Sequence, residues 1–248
     1  MSVVSPRSAC TACAAPIAWY DNLPVISWCV LRGTCRACSA TFSPRYALIE
    51  AAFGLYTVLL LLNLGLTPVF ALSLAAGAVL TVIGGIDHDT WLIDDRATGL
   101  VALLGLTNFA VQLGFDSDNL WVELGLRAAW GLGAFVALWG VGWLMGQAMG
   151  QEALGGGDAP LLAALVILLG PQAIAALLLL TSVQGLIGFA VAKQFSGGPG
   201  NREIVHEDGW VPPEHALPMG IFLALSAMQY QIFGDRLTEW YLGLFSGL

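Results

Sequence analysis

Long apolar runs dominate the chain after residue 45, and a short polar stretch separates each run from the next. A transmembrane α-helix needs about 20 predominantly apolar residues to cross a hydrocarbon core about 30 Å thick. Most of the runs meet that length, so the pattern predicts an all-α polytopic membrane protein with about seven transmembrane helices. We expect the spans at residues 46–66, 68–86, 97–114, 125–148, 160–170, 172–192 and 216–233.

The run at residues 160–170 is too short to cross a bilayer by itself, and Pro171 follows it directly. Proline inside a helix removes a hydrogen bond and kinks or ends the helix. We therefore expect two crossings joined at Gly170 and Pro171. A single long kinked segment is the alternative, and it would change the number of crossings by one. The tail at residues 235–248 mixes aromatic and charged residues, which is typical of a membrane interface.

Composition excludes several other classes of protein. Charged residues make up 10% of the chain and the net charge is −8, whereas soluble domains carry about 25% charged residues. A hydrophobic fraction of 57% excludes a disordered chain. Proteins that bind nucleic acid need clustered Lys and Arg to neutralise phosphates. We therefore expect the lipid bilayer as a partner, and no nucleic acid.

The first 45 residues form a separate polar head with a regular cysteine pattern. Cys10 and Cys13 form one C-x2-C pair, and Cys35 and Cys38 form a second pair, with 21 residues between the two pairs. Two such pairs are typical of a tetrahedral zinc site, and four thiolate ligands make a closed, structural site. Free thiols are the alternative. Cys29 is left over, and we expect it to be a packed thiol.

These features divide the chain into a tetracysteine head at residues 1–45 and a transmembrane domain at residues 46–248. Residues 1–9 contain no apolar run, so we expect no signal peptide. Loops on the cytoplasmic side of a membrane carry an excess of Lys and Arg. Placing the head in the cytoplasm puts seven of the nine basic residues on that side: Arg7, Arg32, Arg36, Arg45, Arg96, Lys193 and Arg202. The same topology puts two acidic motifs on the cytoplasmic face.

The first acidic motif lies between the second and third expected spans. It contains Asp87, Asp89, Asp94 and Asp95. Asp87 directly follows an apolar run, and an ionisable group at that depth indicates a functional site. If the segment is helical, Asp87 and Asp94 lie on one face. For Asp89 and Asp94, a solvated loop at the membrane edge is an equally good interpretation.

The second acidic motif precedes the short fifth run. Glu152 and the glycines from Gly155 to Gly157 lead into Asp158. Glycine allows the backbone to bend or to approach a neighbour closely. Taken alone, Asp158 would be interpreted as a helix N-cap, since Asp is among the favoured capping residues.

Two aspartates at the same membrane edge also suit aspartyl proteolysis. One carboxylate, ionised, takes a proton from water, and the other, protonated, donates to the scissile carbonyl oxygen. Two adjacent carboxylates share one proton because both cannot ionise at low cost. Asp87 and Asp158 are the candidates for such a dyad.

The chain resembles the bacterial type IV prepilin peptidases, which belong to the GxGD group of intramembrane aspartyl proteases. The head resembles the cytoplasmic tetracysteine loop of that family in order and spacing, and the two acidic motifs resemble its two aspartate motifs. The resemblance lies in residues 10–13, 19–27, 31–38, 43–50, 86–98, 155–158, 161–165 and 217–220. It implies that Asp87 and Asp158 are the catalytic acids.

The resemblance also implies a location, substrates and a second activity. It implies a multi-pass protein of the bacterial inner membrane whose active site faces the cytoplasm. It implies cleavage of basic leader peptides from precursors of type IV pilins or type II secretion pseudopilins. It further implies methylation of the new N-terminus with S-adenosylmethionine. A peptidase without methyltransferase activity is one alternative, and a zinc-headed membrane scaffold or transporter is another.

The acidic residues around the dyad suit a basic leader, because opposite charges steer association. Besides the dyad, the residues expected to bind the leader or to shape the site are Asp89, Asp94, Asp95, Glu152, Gly155 and Gly157. The chain departs from the family pattern at three places within these motifs. Asp94 stands where the family usually has Pro, Pro160 stands where it usually has Lys, and Thr34 stands where a basic residue is common.

Overall fold

The structure is a computed structural model that describes residues 8–23, 25–115, 118–150, 154–196 and 217–245. Glu152 and residues 197–216 lie outside the described residues. The expected role of Glu152 therefore stays a prediction. Within the described ranges the protein is helical, and its only β-structure is a pair of isolated bridges, Ala9 with Pro16 and Thr34 with Thr41.

The element order confirms the expected all-α class. A 3-10 helix at Trp19–Asn22 precedes the α-helices. These are α1 (Ile26–Leu31), α2 (Pro44–Leu64), α3 (Pro68–Thr90), α4 (Asp95–Leu113), α5 (Leu120–Met149), α6 (Asp158–Leu169), α7 (Ala173–Ser196) and α8 (Met219–Phe245).

Each expected span overlaps one of the helices from α2 to α8. Five of these helices are long and apolar enough to cross a membrane, and two shorter apolar helices lie at Asp158–Leu169 and Met219–Gly234. The protein is therefore a multi-pass membrane protein. The total of seven crossings stays a prediction.

The chain forms two compact units, Met1–Leu59 and Leu60–Leu248. In the second unit α6 is central and packs against α4, α5 and α8, while α3 packs against α4 and α8, and α7 packs against α8. The core side chains Leu80, Ile83, Leu161, Leu165 and Leu223 have no solvent exposure. In lipid, such a core is stabilised by van der Waals packing between the helices and not by removal of apolar surface from water.

Glycines allow α4 and α5 to approach α6 closely. A methyl group added at Gly105 would lie 2.6 Å from Cα of Leu168, and one added at Gly131 would lie 2.6 Å from Cγ1 of Ile167. Both distances are shorter than van der Waals contact, so only glycine fits. The pattern of small residues is that of helices packed in lipid.

Arg127 of α5 satisfies the C-terminal end of α6. Its Nε donates to the Ile167 carbonyl at 3.0 Å and its Nη2 donates to the Leu168 carbonyl at 3.5 Å. The guanidinium also lies over the Phe109 ring, 4.1 Å from its centroid. The last carbonyls of a helix have no intrahelical partner, so this arginine fixes the position of α6, whose other end carries Asp158.

Candidate active site and metal centre

Asp87 lies in the last turn of α3 and is buried, with 4% of its surface exposed. The helix ends at Thr90 because Trp91 is left-handed, with φ of 59°, and the Trp91 N–H donates to the Asp87 carbonyl at 2.8 Å. The acidic motif is therefore not one continuous helix. The condition under which Asp87 and Asp94 would share a helix face is therefore not met.

The N-terminal end of α8 holds the Asp87 carboxylate. The Ile221 N–H donates to Oδ2 of Asp87 at 2.8 Å. A methyl group added at Gly220 would lie 2.9 Å from Cγ and Oδ2 of Asp87. The first N–H groups of a helix have no intrahelical partner and favour a negative charge. The start of α8 therefore positions this carboxylate.

Asp158 is the first residue of α6 and is also buried, with 6% of its surface exposed. The N-cap position belongs to Gly157, so Asp158 is not the N-cap of α6. Its Oδ2 instead accepts a hydrogen bond from the Gly155 N–H at 3.2 Å. This bond closes the glycine turn on the carboxylate.

Ile93 lies between the two turns that hold the aspartates. A methyl group added at Gly157 would lie 2.7 Å from Cβ of Ile93, and one added at Gly220 would lie 2.8 Å from its Cδ1. Ile93 was not among the residues expected at the site. In the sequence, Ile93 is marked only by its place within the first acidic motif. Nothing there distinguishes it from the preceding residue, Leu92.

The other acids of the first motif have local partners. Asp94 is the N-cap of α4, and its Oδ2 accepts a hydrogen bond from the Ala97 N–H at 3.1 Å. Asp89 lies beside the His88 ring, with Oδ1 3.0 Å from Nδ1. Asp95 begins α4, and all three carboxylates are exposed. Their expected role in leader binding stays a prediction.

The four expected cysteine ligands come together in the head. The sulfur atoms of Cys10, Cys13, Cys35 and Cys38 all lie within 4.8 Å of one another. Sγ of Cys10 lies 3.9 Å from Sγ of Cys38. A tetrahedral zinc with Zn–S bonds of about 2.3 Å requires sulfur atoms about 3.8 Å apart. The thiol cluster therefore fits a tetrahedral metal ion.

The two C-x2-C pairs adopt the same backbone turn. The Cys10 N–H donates to the Ala15 carbonyl and the Ala14 N–H donates to the Cys10 carbonyl, both at 2.9 Å. Cys35 makes the matching bonds with Ala40 and Ser39, at 2.8 and 2.9 Å. Repetition of one turn at both pairs is what a symmetric four-ligand site needs.

The same turn favours thiolate at one ligand. Hydrogen bonds from the backbone at Cys13 and Ala12 lower the pKa of Cys10 to about 6. Metal ions bind the thiolate form of cysteine, and backbone hydrogen bonds to the sulfur favour that form. Cys29 lies outside the cluster and is exposed, so the expectation of a packed thiol is wrong.

Two family models match the chain. Residues 1–64 match the model described as the bacterial peptidase A24 N-terminal domain, and residues 74–190 match the model described as the type IV leader peptidase family. No solved structure matches the chain.

Curated relatives match over most of their length. A protein from Aeromonas hydrophila is 32% identical over 97% of this chain and 76% of its own length. One from Myxococcus xanthus is 34% identical over 96% of this chain and 84% of its own. One from Klebsiella pneumoniae is 36% identical over 71% of this chain and 75% of its own. Each is named prepilin leader peptidase/N-methyltransferase. Two family models match the chain, and the chain covers more than two thirds of each of these relatives. The chain therefore belongs to the type IV leader peptidase family.

Proposed function

We propose that this protein cleaves the basic leader peptides of type IV pilin or pseudopilin precursors, with Asp87 and Asp158 as its catalytic acids. The observation that carries the proposal is a pair of buried carboxylates, each of which accepts a hydrogen bond from a backbone N–H, with Ile93 against the glycine next to each of these two sites. Family membership supports the reaction class, and the relatives' printed names support the substrate class.

The proposed reaction divides the two proton transfers between the carboxylates. The ionised acid takes a proton from water as the water oxygen bonds to the scissile carbonyl carbon. The protonated acid donates its proton to the carbonyl oxygen, and a tetrahedral intermediate forms. When the C–N bond breaks, the acid that took the proton from water gives it to the nitrogen, which leaves as the amine of the mature pilin. The other acid, now ionised, takes a hydroxyl proton from the intermediate as the carboxylic acid of the leader forms, and both acids return to their starting states. Two close carboxylates of unequal protonation are what this chemistry requires.

The surface next to Asp87 supports recognition of a cationic leader. Asp89, Asp94 and Asp95 are exposed on or next to the segment that links α3 to α4. Exposed carboxylates attract Lys and Arg over about 10 Å at 0.1 M salt. We therefore propose that they bind the leader, and that salt weakens this interaction.

A cavity beside Asp158 supports an approach for the substrate backbone. It has a volume of about 570 Å³, and its lining combines large side chains, among them Trp139 and Trp143 of α5, with small residues that include Gly146, Gly155 and Ala159. Leu154 covers Gly142, since a methyl group added there would lie 3.1 Å from Cβ of Leu154. Small residues let another backbone approach closely, so we propose that the substrate lies along this glycine-lined wall.

The second proposed activity is methylation of the new N-terminus. The relatives' names include N-methyltransferase, and S-adenosylmethionine, when bound, supplies an electrophilic methyl group. The thiol cluster is proposed to hold a structural zinc, because four thiolates leave no open coordination position. We place the protein in the bacterial inner membrane with the aspartates facing the cytoplasm, as the distribution of basic residues supports.

The test is a cleavage assay in membranes with a prepilin substrate. Wild type should remove the leader, and Asp87→Asn and Asp158→Asn should each reduce the rate by at least about 10³-fold, because each removes one of two required proton carriers. Asp118→Asn, at an exposed aspartate between α4 and α5, is the matched control and should cleave normally. Folding is checked by thermal unfolding of each purified variant. Cleavage by either dyad variant at more than a tenth of the wild-type rate would refute the dyad.

A further inference from the structure

The segment that links α3 to α4 is held at both ends by hydrogen bonds. At its start, the Leu92 N–H donates to Oγ1 of Thr90 at 3.4 Å. At its end, the Asp94 carbonyl accepts hydrogen bonds from the N–H and the hydroxyl group of Thr98, at 3.0 and 3.1 Å. Thr98 is buried. Ile93 lies between these two anchors, so its backbone has a defined position.

The side chain of Ile93 reaches both glycines that adjoin the candidate acids. A methyl group added at Gly157 would lie 2.7, 3.2 and 3.3 Å from Cβ, Cγ1 and Cδ1 of Ile93. One added at Gly220 would lie 2.8 Å from the same Cδ1 and 2.9 Å from Cγ of Asp87. The terminal methyl group of Ile93 therefore lies against the glycine before Asp158 and against the glycine that contacts the Asp87 carboxylate.

This placement distinguishes Ile93 from its neighbour Leu92. Leu92 is 56% exposed, whereas Ile93 is partly buried and packs against the core of the second unit. Isoleucine branches at Cβ, which restricts the rotamers of its side chain. Protein interiors relax only partly around a deleted group. A stiff side chain between two backbones therefore determines how closely these backbones approach each other.

We propose that Ile93 is a positioning residue of the peptidase, a spacer that holds the glycine turn of Asp158 and the start of α8 at a fixed separation. The inference rests on the proposed function, because it gives Ile93 control over the geometry of the Asp87–Asp158 dyad. The interaction between two carboxylates depends on the distance between them, and a displacement of about 1 Å lowers a rate by roughly 10²-fold. Ile93 carries no proton, and it acts only through the two backbones that it separates.

The first experiment compares Ile93→Ala with Leu92→Ala in the membrane cleavage assay with a prepilin substrate. Ile93→Ala should lower kcat about 10- to 100-fold. Its KM should stay within about 2-fold of the wild-type value, because lost positioning affects the reacting state and not the affinity for substrate. Leu92→Ala should keep the wild-type kcat. Ile93→Val lacks only Cδ1, so it should lower kcat by a smaller factor, and it serves as the test if Ile93→Ala does not fold.

A double-substitution cycle with Gly157→Ala tests the contact itself, by thermal unfolding of the purified full-length protein. In wild type, the methyl group added at Gly157 meets three atoms of Ile93, and two of these are absent from Ile93→Ala. Gly157→Ala should therefore lower the unfolding temperature less in the Ile93→Ala background than in wild type, as expected for residues in contact. Gly156→Ala, whose methyl group has no neighbour within 4 Å, is the matched control and should have the same effect in both backgrounds.

The outcomes separate this inference from the peptidase assignment. If wild type cleaves, both aspartate variants fail, and the Ile93 variants keep the wild-type kcat, the spacer role is overturned and the dyad stands. A raised KM with an unchanged kcat would place Ile93 in substrate binding and would also contradict the inference. If wild type does not cleave, the peptidase assignment fails, and the unfolding cycle still tests the spacer. Equal effects of Gly157→Ala in both backgrounds would then show that Ile93 does not separate the two backbones.

Discussion

The Ile221 N–H donates a hydrogen bond at 2.8 Å to the carboxylate of Asp87, a residue 134 positions earlier in the chain. This contact joins the last turn of α3 to the first turn of α8. It fixes one candidate catalytic acid by a backbone N–H that, among substitutions of Ile221, only proline would remove. A side chain introduced at Gly220 would disturb this contact, because its Cβ would lie 2.9 Å from the carboxylate.

Gly220→Ala should therefore reduce the rate of leader cleavage. The added methyl group would lie 2.9 Å from Oδ2 of Asp87 and 2.8 Å from Cδ1 of Ile93, so the carboxylate must move. A displacement of about 1 Å at a reacting group lowers a rate by roughly 10²-fold. Gly85→Ala in α3 is the control, since a methyl group there has no neighbour within 4 Å. Similar cleavage rates for the two variants would refute the role of α8.

The glycine turn before Asp158 offers a pair of adjacent positions for comparison. A methyl group at Gly157 would lie 2.7 Å from Cβ of Ile93, whereas one at Gly156 has no neighbour within 4 Å. Gly157→Ala should lower the cleavage rate about 10- to 100-fold by displacing Asp158. Gly156→Ala should retain most activity. If Gly156→Ala were the more damaged variant, contact with Ile93 would not be the cause.

Close packing of α4 on α6 should appear as a stability effect. Gly105→Ala places a methyl group 2.6 Å from the Leu168 backbone, whereas Gly99→Ala in the same helix meets no atom within 4 Å. Overpacking costs about 1–3 kcal/mol, so Gly105→Ala should lower the unfolding temperature in detergent and Gly99→Ala should not. Equal unfolding temperatures would mean that the two helices can separate at little cost.

Metal content tests the thiol cluster. The purified protein should contain about one zinc ion per chain. Cys13→Ser should lose most of that zinc, because Cys13 is one of the four clustered thiols, whereas Cys29→Ser should retain it. Removal of zinc with a chelator should lower the unfolding temperature of the head, because metal binding contributes directly to folding. Full zinc retention by Cys13→Ser would refute the site.

The ion pair of the head has a defined pH dependence. Hydrogen bonds from Arg36 lower the pKa of Asp21, while in the unfolded chain an Asp has a pKa of about 3.9. The pair therefore stabilises the fold above that value, and its contribution is lost as the pH falls through the lower pKa of the folded state. Wild type should unfold at a higher temperature than Asp21→Asn at neutral pH. The difference should shrink as the pH falls to about 3.

Much of the fold follows from local sequence. Every expected span overlaps a helix. An apolar run is visible in local sequence, and its position and length determine where a membrane helix can form. The ends of the helices are predicted less well from local sequence. We expected the second span to stop at residue 86, yet α3 continues to Thr90, so that Asp87 lies inside the helix. The left-handed Trp91 that ends α3 has no Gly or Pro signal in the sequence.

The sequence by itself determined the helical membrane class, the positions of the apolar helices, the cysteine spacing and the identity of the two candidate acids. These properties reside in composition and in short motifs. Only the tertiary structure decided what surrounds those acids: the Ile221 N–H at Asp87, the Gly155 N–H at Asp158, and Ile93 beside Gly157 and Gly220. The physical reason is that every non-proline residue carries the same backbone N–H group. Packing of distant helices alone determines which N–H meets a given carboxylate.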